Sequence, residues 1–139
     1  MPNFEIQRVE KFDTQKPIFK LIRNGKCSYD SFISSIKEDK NLNPELGDIY
    51  AILKHVADNA TPFLPKQKYR KLKLSNKIKY AGYEAKSKHL RLYLFVDKDT
   101  GMILVLGGKK GDQDEDIESL ERIIKEYSQN KPQSNAQQK

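Results

Sequence analysis

In the stretch from residue 88 to residue 96, KHLRLYLFV, aliphatic side chains alternate with basic and aromatic ones. Successive side chains of a strand point to opposite faces of a sheet, so every second residue shares a face. One face then carries Leu90, Leu92, Leu94 and Val96, and the other carries His89, Arg91, Tyr93 and Phe95. The pattern predicts a central strand, with its leucine face under helices and its second face open.

Two further strands flank this one along the chain. Residues 78–86 and 102–107 have the apolar content of strands, and the loop 97–101 ends in a glycine that suits a left-handed position. Strands joined by such short connections predict an antiparallel meander of three strands.

Two strands are also predicted at the N-terminus. Phe4, Ile6 and Val9 indicate the first, and residues 18–23, IFKLIR, indicate the second. Asn24-Gly25 follows as a strong turn signal, because both residue types tolerate a positive φ.

Two short amphipathic helices come next. Ser28 is a candidate cap of the first, and Asn43-Pro44 begins the second, because proline loses no hydrogen bond at a first helical position. Asn59 and Pro62 end the second helix. Their apolar residues recur at helical spacing: Tyr29, Phe32, Ile33 and Ile36 in the first, and Leu46, Ile49, Tyr50, Leu53 and Val56 in the second. The short connection between them predicts an antiparallel helical hairpin.

A C-terminal helix is predicted from Asp112, which can form a capping box with Glu115. Its apolar stripe consists of Ile117, Leu120, Ile123, Ile124 and Tyr127. Residues 1–127 are therefore expected to form one α+β domain, a twisted antiparallel sheet with the helical hairpin and the C-terminal helix packed on one face. Residues 128–139, SQNKPQSNAQQK, are polar throughout and predict a disordered tail.

The positive charge is concentrated in one region. The 139-residue chain has a net charge of +7 and a pI near 9.4, while residues 66–91 hold ten Lys and Arg against the single acid Glu84, a local net charge of +9. A basic patch beside a sheet suits nucleic acid or an acidic protein. A solvated basic face with no partner would give the same composition.

Several other classes of protein are disfavoured. No apolar run approaches the roughly 20 residues that cross a membrane, and the N-terminus lacks the layout of a signal peptide. Cys27 is the only cysteine, and no Cys/His zinc spacing is present. Residues 107–111, GGKKG, lack the GxxxxGK[ST] pattern of a phosphate-binding loop. We expect a cytoplasmic protein without a membrane segment, a metal ion or a small-molecule cofactor.

The meander would bring six polar side chains together on the open face: Glu84, Lys86, His89, Arg91, Lys109 and Lys110. RNA carries its own nucleophile, the 2′-OH, so cleavage requires a base, cations for the charge on phosphorus and a proton donor for the leaving 5′-oxygen. Glu84 or His89 is the candidate base, and the fork of Arg91 fits phosphate oxygens. Lys109 or Lys110 would stabilise charge or donate the proton. Basic residues on an open sheet also bind RNA without cutting it, so both possibilities stay open.

Three segments carry a resemblance to a known family: residues 83–86 (YEAK), 89–94 (HLRLYL) and 103–110 (ILVLGGKK). In this order, followed by an amphipathic helix, they resemble the RelE/HigB-type toxins of bacterial toxin–antitoxin pairs, in the RelE/ParE superfamily. The segments are similar to that family's Tyr-Glu-x-Arg strand, its arginine-bearing strand and its apolar strand ending in paired basic residues. The resemblance covers about residues 77–127, and the N-terminal part agrees in the order and spacing of its elements.

The resemblance implies a RelE-like α+β fold and a metal-independent endoribonuclease that cuts mRNA in the ribosomal A site. By position, Arg91 falls on the family's phosphate-binding arginine, and Lys110 on the basic residue after the last strand. Glu84 falls where some members keep a catalytic carboxylate. RNA contacts are implied for Lys71, Lys73, Lys77 and Lys86. The expected partners are a cognate antitoxin, mRNA and the ribosome, and the alternative is a non-catalytic RNA- or protein-binding module with the same fold.

Overall fold

A computed structural model describes residues 2–59 and 64–131 of the chain. In chain order the elements are β1 Phe4–Arg8, β2 Ile18–Arg23, α1 Ser28–Lys37, α2 Glu45–Asp58, β3 Tyr69–Lys71, β4 Ala81–Lys86, β5 Leu90–Asp97, β6 Gly101–Lys109 and α3 Gln113–Gln129. The predicted α+β class is confirmed. Each predicted strand and helix is present, and the short strand β3 is additional.

The six strands form one mixed sheet in the order β1-β2-β6-β5-β4-β3. The predicted meander of β4, β5 and β6 is antiparallel. However, β2 and β6 pair in parallel, from Ile18↔Met102 to Lys20↔Leu104, so the prediction of a wholly antiparallel sheet is wrong. After β2 the chain passes through α1 and α2 to the far edge strand β3 and returns through β4 and β5, so that β6 reaches β2 in the parallel direction.

Helices cover both faces of the sheet. The leucines of β5 share one hydrophobic core with apolar residues of α1 and α2. On the opposite face, Tyr93 and Phe95 share a second core with Leu120, Ile124 and Tyr127 of α3. The prediction that all helices pack on one face and leave the other open is therefore wrong. Two large aromatic side chains on the second face favour burial, and the apolar stripe of α3 covers them.

The first two helices contact the sheet more than they contact each other. α1 lies against β6 and β2, whereas α2 lies against β4. The predicted pair of helices is correct in order and extent, but the predicted hairpin packing is not the main interaction of either helix. Burial of each apolar stripe against the sheet is the stronger requirement.

The beginnings of these helices differ from prediction by one residue. Cys27 rather than Ser28 is the N-cap of α1, because the Cys27 sulfur accepts a hydrogen bond from the backbone N–H of Asp30 at 3.5 Å. Pro44 is the N-cap of α2 and not its first helical residue. Pro62, which was predicted to stop α2, lies outside the described residues.

The C-terminal helix is longer than predicted. α3 continues to Gln129, so the predicted disordered tail from residue 128 begins too early. The ammonium group of Lys131 lies 3.1 Å from Oδ2 of the buried Asp97, which ties the segment after the helix to the end of β5. Residues 132–139 lie outside the described part of the chain.

A glycine allows α1 to approach the sheet closely. A Cβ atom at Gly107 would lie 2.3 Å from the ring of Phe32, which is far inside van der Waals contact. Gly47 of α2 is the opposite case, because a Cβ atom there would meet nothing within 4 Å. The contact of α1 with the sheet therefore requires glycine at position 107, whereas the packing of α2 does not require glycine at position 47.

Gly107→Ala is expected to lower the free energy of unfolding by about 1–3 kcal/mol, because the added methyl group displaces the Phe32 ring. Gly47→Ala is the control and is expected to raise that free energy by about 0.5–1 kcal/mol, since alanine favours a helix interior. Chemical denaturation measures both. Equal unfolding free energies in the two variants would contradict the packing described for α1.

Candidate active site

Glu84 is the centre of a buried ionic cluster on the face of β4 that α3 covers. Strand pairing places it opposite Arg70 of β3 and Tyr93 of β5. Arg70 donates two hydrogen bonds to Oε1 of Glu84, from Nη2 at 2.9 Å and from Nε at 3.1 Å. Gln113, the first residue of α3, donates one to Oε2 at 2.8 Å. Two strands and a helix thus converge on one fully buried carboxylate.

The cluster keeps Glu84 ionised. Burial alone would raise the pKa of Glu84, but hydrogen bonds from Gln113 and Arg70, together with the charge of Arg70, lower that pKa below its ordinary value. A carboxylate with a lowered pKa is a weaker base, and this side chain has no exposure to solvent. The expectation that Glu84 lies on an open face is therefore wrong, and its position suits holding cations in place.

Lys86 and Arg91 stand opposite each other beside this carboxylate. Lys86 Nζ lies 3.9 Å from Oε1 of Glu84, and Arg91 Nε lies 4.0 Å from Oε2. Arg91 is only 7% exposed, and its Nη1 donates hydrogen bonds of 2.8 Å to the carbonyls of Ser87 and Leu90. The guanidinium therefore braces the turn between β4 and β5. The expectation that the guanidinium of Arg91 lies on an open face and binds phosphate is therefore wrong in its first part, because the side chain is buried.

His89 lies in the same turn and contacts α2. Its Nδ1 is 2.6 Å from Oε2 of Glu45, and its backbone N–H donates to Oε1 at 2.8 Å. Ser87 Oγ donates to the same Oε1. Burial would raise the pKa of Glu45, but these hydrogen bonds from Ser87 and His89 lower it to about 2. Because an ionised carboxylate only accepts hydrogen bonds, Nδ1 of His89 carries the proton.

The imidazole of His89 remains accessible at its other nitrogen. The side chain is 54% exposed, and within residues 2–59 and 64–131 no hydrogen bond engages Nε2. Glu45 is the first residue of α2, where the positive end of the helix dipole also favours a carboxylate. The Glu45–His89 pair is thus an imidazole oriented by an ionised carboxylate, with one nitrogen available to solvent.

The end of β6 brings two lysines beside this pair. Lys109 is the strand partner of Leu90, and the backbone N–H of Lys110 donates to the carbonyl of His89 at 2.8 Å. Both lysine side chains are exposed. The structure therefore brings together three of the predicted site residues, His89, Lys109 and Lys110, at one rim of the sheet.

The other predicted residues are separated from this rim. Strand alternation predicted that His89 and Arg91 share a face, but β5 begins at Leu90, so His89 belongs to the turn. Its ring contacts α2, whereas Arg91 lies on the face of α3 with Glu84. The predicted single cluster is therefore two clusters, one exposed and one buried.

The lysines predicted to contact RNA also divide into two groups. Lys71 ends β3, while Lys73 and Lys77 lie in the loop that leads to β4, and all three are exposed. Lys86 is different, because its side chain is only 18% exposed and lies beside Glu84. Three of the four lysines are thus available to a polyanion.

Sequence patterns missed three residues of these clusters. Arg70 lies in β3, a strand of three residues that is too short to show a period. Glu45 and Gln113 each begin a helix, and the placement of that helix on the sheet decides which partner they meet. The sequence does place Glu45 in the first turn of α2. An acid at that position is already explained by the helix dipole, so it did not indicate a contact with His89.

No family model matches the chain, and no curated protein or solved structure matches it at a significant level. Within residues 2–59 and 64–131, no three or more His, Cys, Asp or Glu side chains are grouped to hold a metal ion. In the same ranges, no helix is long and apolar enough to cross a membrane. The function is therefore inferred from the geometry of the site.

Glu84→Gln is expected to lower the free energy of unfolding by about 3 kcal/mol near neutral pH, because buried cations lose their counter-charge. The folded pKa of Glu84 lies below its ordinary value of 4.5. The stability that its charge contributes is therefore present above that ordinary value and is lost as the pH falls through the lower folded pKa. Chemical denaturation across this pH range measures the difference from wild type.

Glu118→Gln is the matched control, since Glu118 is an exposed acid on α3. It should change stability by less than about 0.5 kcal/mol at any pH. A deficit in Glu84→Gln that stays constant down to acid pH would contradict an ionised, paired Glu84.

Proposed function

We propose that this protein is a RelE/HigB-like toxin that cleaves mRNA without a metal ion and uses His89 as general base. The observation that carries the proposal is the Glu45–His89 pair, with its 2.6 Å contact, at the rim that also holds Lys109 and Lys110. A carboxylate bound to Nδ1 fixes the tautomer and directs Nε2 toward a substrate. The two lysines supply positive charge where a pentavalent phosphorus would gather negative charge.

The proposed reaction uses the nucleophile of RNA itself. His89 Nε2 takes the proton of a ribose 2′-OH, and the 2′-oxygen forms a bond to the adjacent phosphorus. The bond from phosphorus to the 5′-oxygen of the next nucleotide breaks, which leaves a 2′,3′-cyclic phosphate. Lys109 and Lys110 stabilise the charge on the phosphoryl oxygens, and one of their ammonium groups protonates the leaving 5′-oxygen. Glu45 stabilises the imidazolium that forms.

Arg91 and Glu84 are positioning residues in this proposal. Arg91 holds the carbonyls of Ser87 and Leu90, the two residues that flank the segment carrying His89. Glu84 in turn stands beside the Arg91 guanidinium, at 4.0 Å. Their burial supports an indirect role in place of the direct contact with phosphate that the resemblance implied.

The proposed partners are mRNA on the ribosome and a cognate antitoxin, in the cytoplasm. The local charge of +9 between residues 66 and 91 supports a polyanionic substrate. The same charge would attract an acidic segment of an antitoxin, which would neutralise the toxin by covering the rim.

A non-catalytic RNA- or protein-binding module is the second candidate function. The burial of Glu84 and Arg91 favours it, because two of the five residues predicted to be catalytic lie away from solvent. Such a module would bind polyanions with an affinity that falls steeply with salt, and it would not cleave RNA.

Expression of the wild type in a bacterium is expected to arrest growth and to create new, in-frame mRNA 5′ ends. His89→Gln is expected to remove both effects, with a cleavage rate about 10²- to 10⁴-fold lower, because the base is lost. His55→Gln is the matched control, since His55 is the only other histidine and is exposed on α2. Mapping of cellular mRNA 5′ ends after induction measures the result.

Cleavage that persists in His89→Gln would contradict the assignment of the base. Normal growth and unchanged RNA ends with the wild type would instead favour the binding module.

Arg91→Ala is expected to reduce cleavage as well, because the turn that carries His89 loses the hydrogen bonds that Arg91 donates to Ser87 and Leu90.

A further inference from the structure

Two adjoining cavities lie along the edge strand β3, and we call them together the edge groove. Their volumes are about 730 Å³ and 570 Å³, and their walls share Tyr69, Lys71 and Tyr83. Each cavity lies in the size range of ordinary ligand sites. Because the walls are shared, the two cavities adjoin each other at the side of the sheet.

The edge groove leads toward the rim that carries His89. A third cavity, of about 600 Å³, shares Leu64 with the smaller cavity of the groove. Its wall continues to Ser87 and Lys88, the two residues that precede His89. The third cavity therefore lies between the edge groove and the turn that carries His89.

Two stacked tyrosines form part of the groove wall. The rings of Tyr69 and Tyr83 have centroids 5.0 Å apart and planes inclined by 7°. Both side chains are partly exposed. Burial raises the pKa of Tyr69, so its hydroxyl group stays neutral. An aromatic pair of this kind is a platform on which the bases of a single strand stack.

Five exposed lysines line the two cavities: Lys16, Lys66, Lys71, Lys79 and Lys98. Among the described residues, none of the five lies within ion-pair distance of an acid. Lys131 also borders the groove, but it is paired with Asp97 at 3.1 Å and with Asp99 at 3.4 Å. Asp97 and Asp99, the acids that line the groove, are therefore paired with Lys131. The charges of the five exposed lysines are available to a ligand.

We infer that the edge groove binds single-stranded RNA, with bases against Tyr69 and Tyr83 and phosphates on the surrounding lysines. An aromatic platform within a positively charged groove is the combination that holds single strands with little sequence preference. The bases of a duplex are stacked inside the helix and would not reach the tyrosines. The physiological role rests on the proposed function, in which the groove holds the part of the mRNA that leads to His89.

Binding is measured by fluorescence anisotropy with a 5′-fluorescein oligouridylate of 12 nucleotides, on protein carrying His89→Gln so that no cleavage interferes. Adding Lys71→Ala and Lys79→Ala is expected to weaken binding about tenfold at low salt. The slope of log affinity against log salt should fall by about 0.7 for each lost phosphate contact. Lys37→Ala with Lys40→Ala removes the same charge near the end of α1 and is the control, for which neither quantity should change.

Tyr83→Leu tests the stacking contact separately from charge. Leucine keeps an apolar side chain but removes the ring, so affinity is expected to fall about tenfold while the salt slope stays unchanged. Thermal unfolding checks that the variant is folded. Tyr69→Leu is the second variant and carries the test if Tyr83→Leu does not fold.

Equal losses in the groove variant and the Lys37/Lys40 control would overturn the inference, as would full affinity in the folded tyrosine variant. An RNA duplex or a polyglutamate peptide that competes as well as unlabelled oligouridylate would also overturn it. With polyglutamate the groove would be assigned to an acidic protein. Absence of growth arrest by the wild type, with groove-dependent RNA binding intact, would remove the nuclease function and leave the groove assignment standing.

Discussion

The carboxylate of Glu84 is fully buried and charged, and it must keep its partners from three elements of the fold in place. Its two oxygens bind Arg70 of the edge strand and Gln113 at the start of α3, and Arg91 of the central strand stands beside it. A buried charge is tolerated only when it is paired and hydrogen-bonded, so these elements must stay together for the fold to be stable. One side chain thereby fixes the edge of the sheet, the second helical layer and the turn between β4 and β5.

This constraint divides the positive charge of the chain into two sets. The first set, Arg70, Lys86 and Arg91, lies beside Glu84 and balances its charge. Arg91 also stiffens the turn between β4 and β5, because it donates hydrogen bonds to the backbone carbonyls of Ser87 and Leu90. The exposed set remains at the rim with His89 and along the edge groove. The residues proposed for catalysis and RNA binding therefore lie outside the buried cluster around Glu84.

Sequence patterns predicted every helix and strand except β3, because each of those elements shows the period of its type. The alternation in residues 88–96 and the helical spacing in α1, α2 and α3 agree with the observed strands and helices. The face taken by α3 could not be predicted, since both faces of β5 carry large apolar side chains. The Glu45–His89 contact joins residues 44 apart, so only the placement of α2 on the sheet reveals it.

In the proposed reaction, RNA supplies its own nucleophile and His89 activates it. The most direct test is mass spectrometry of the ends of RNA fragments produced by the purified protein on mRNA-programmed ribosomes. A 2′,3′-cyclic phosphate on the upstream fragment and a 5′-hydroxyl on the downstream fragment are expected. A 3′-hydroxyl with a 5′-phosphate would contradict the claim, because water would then have attacked the phosphorus and the 2′-OH would not be the nucleophile.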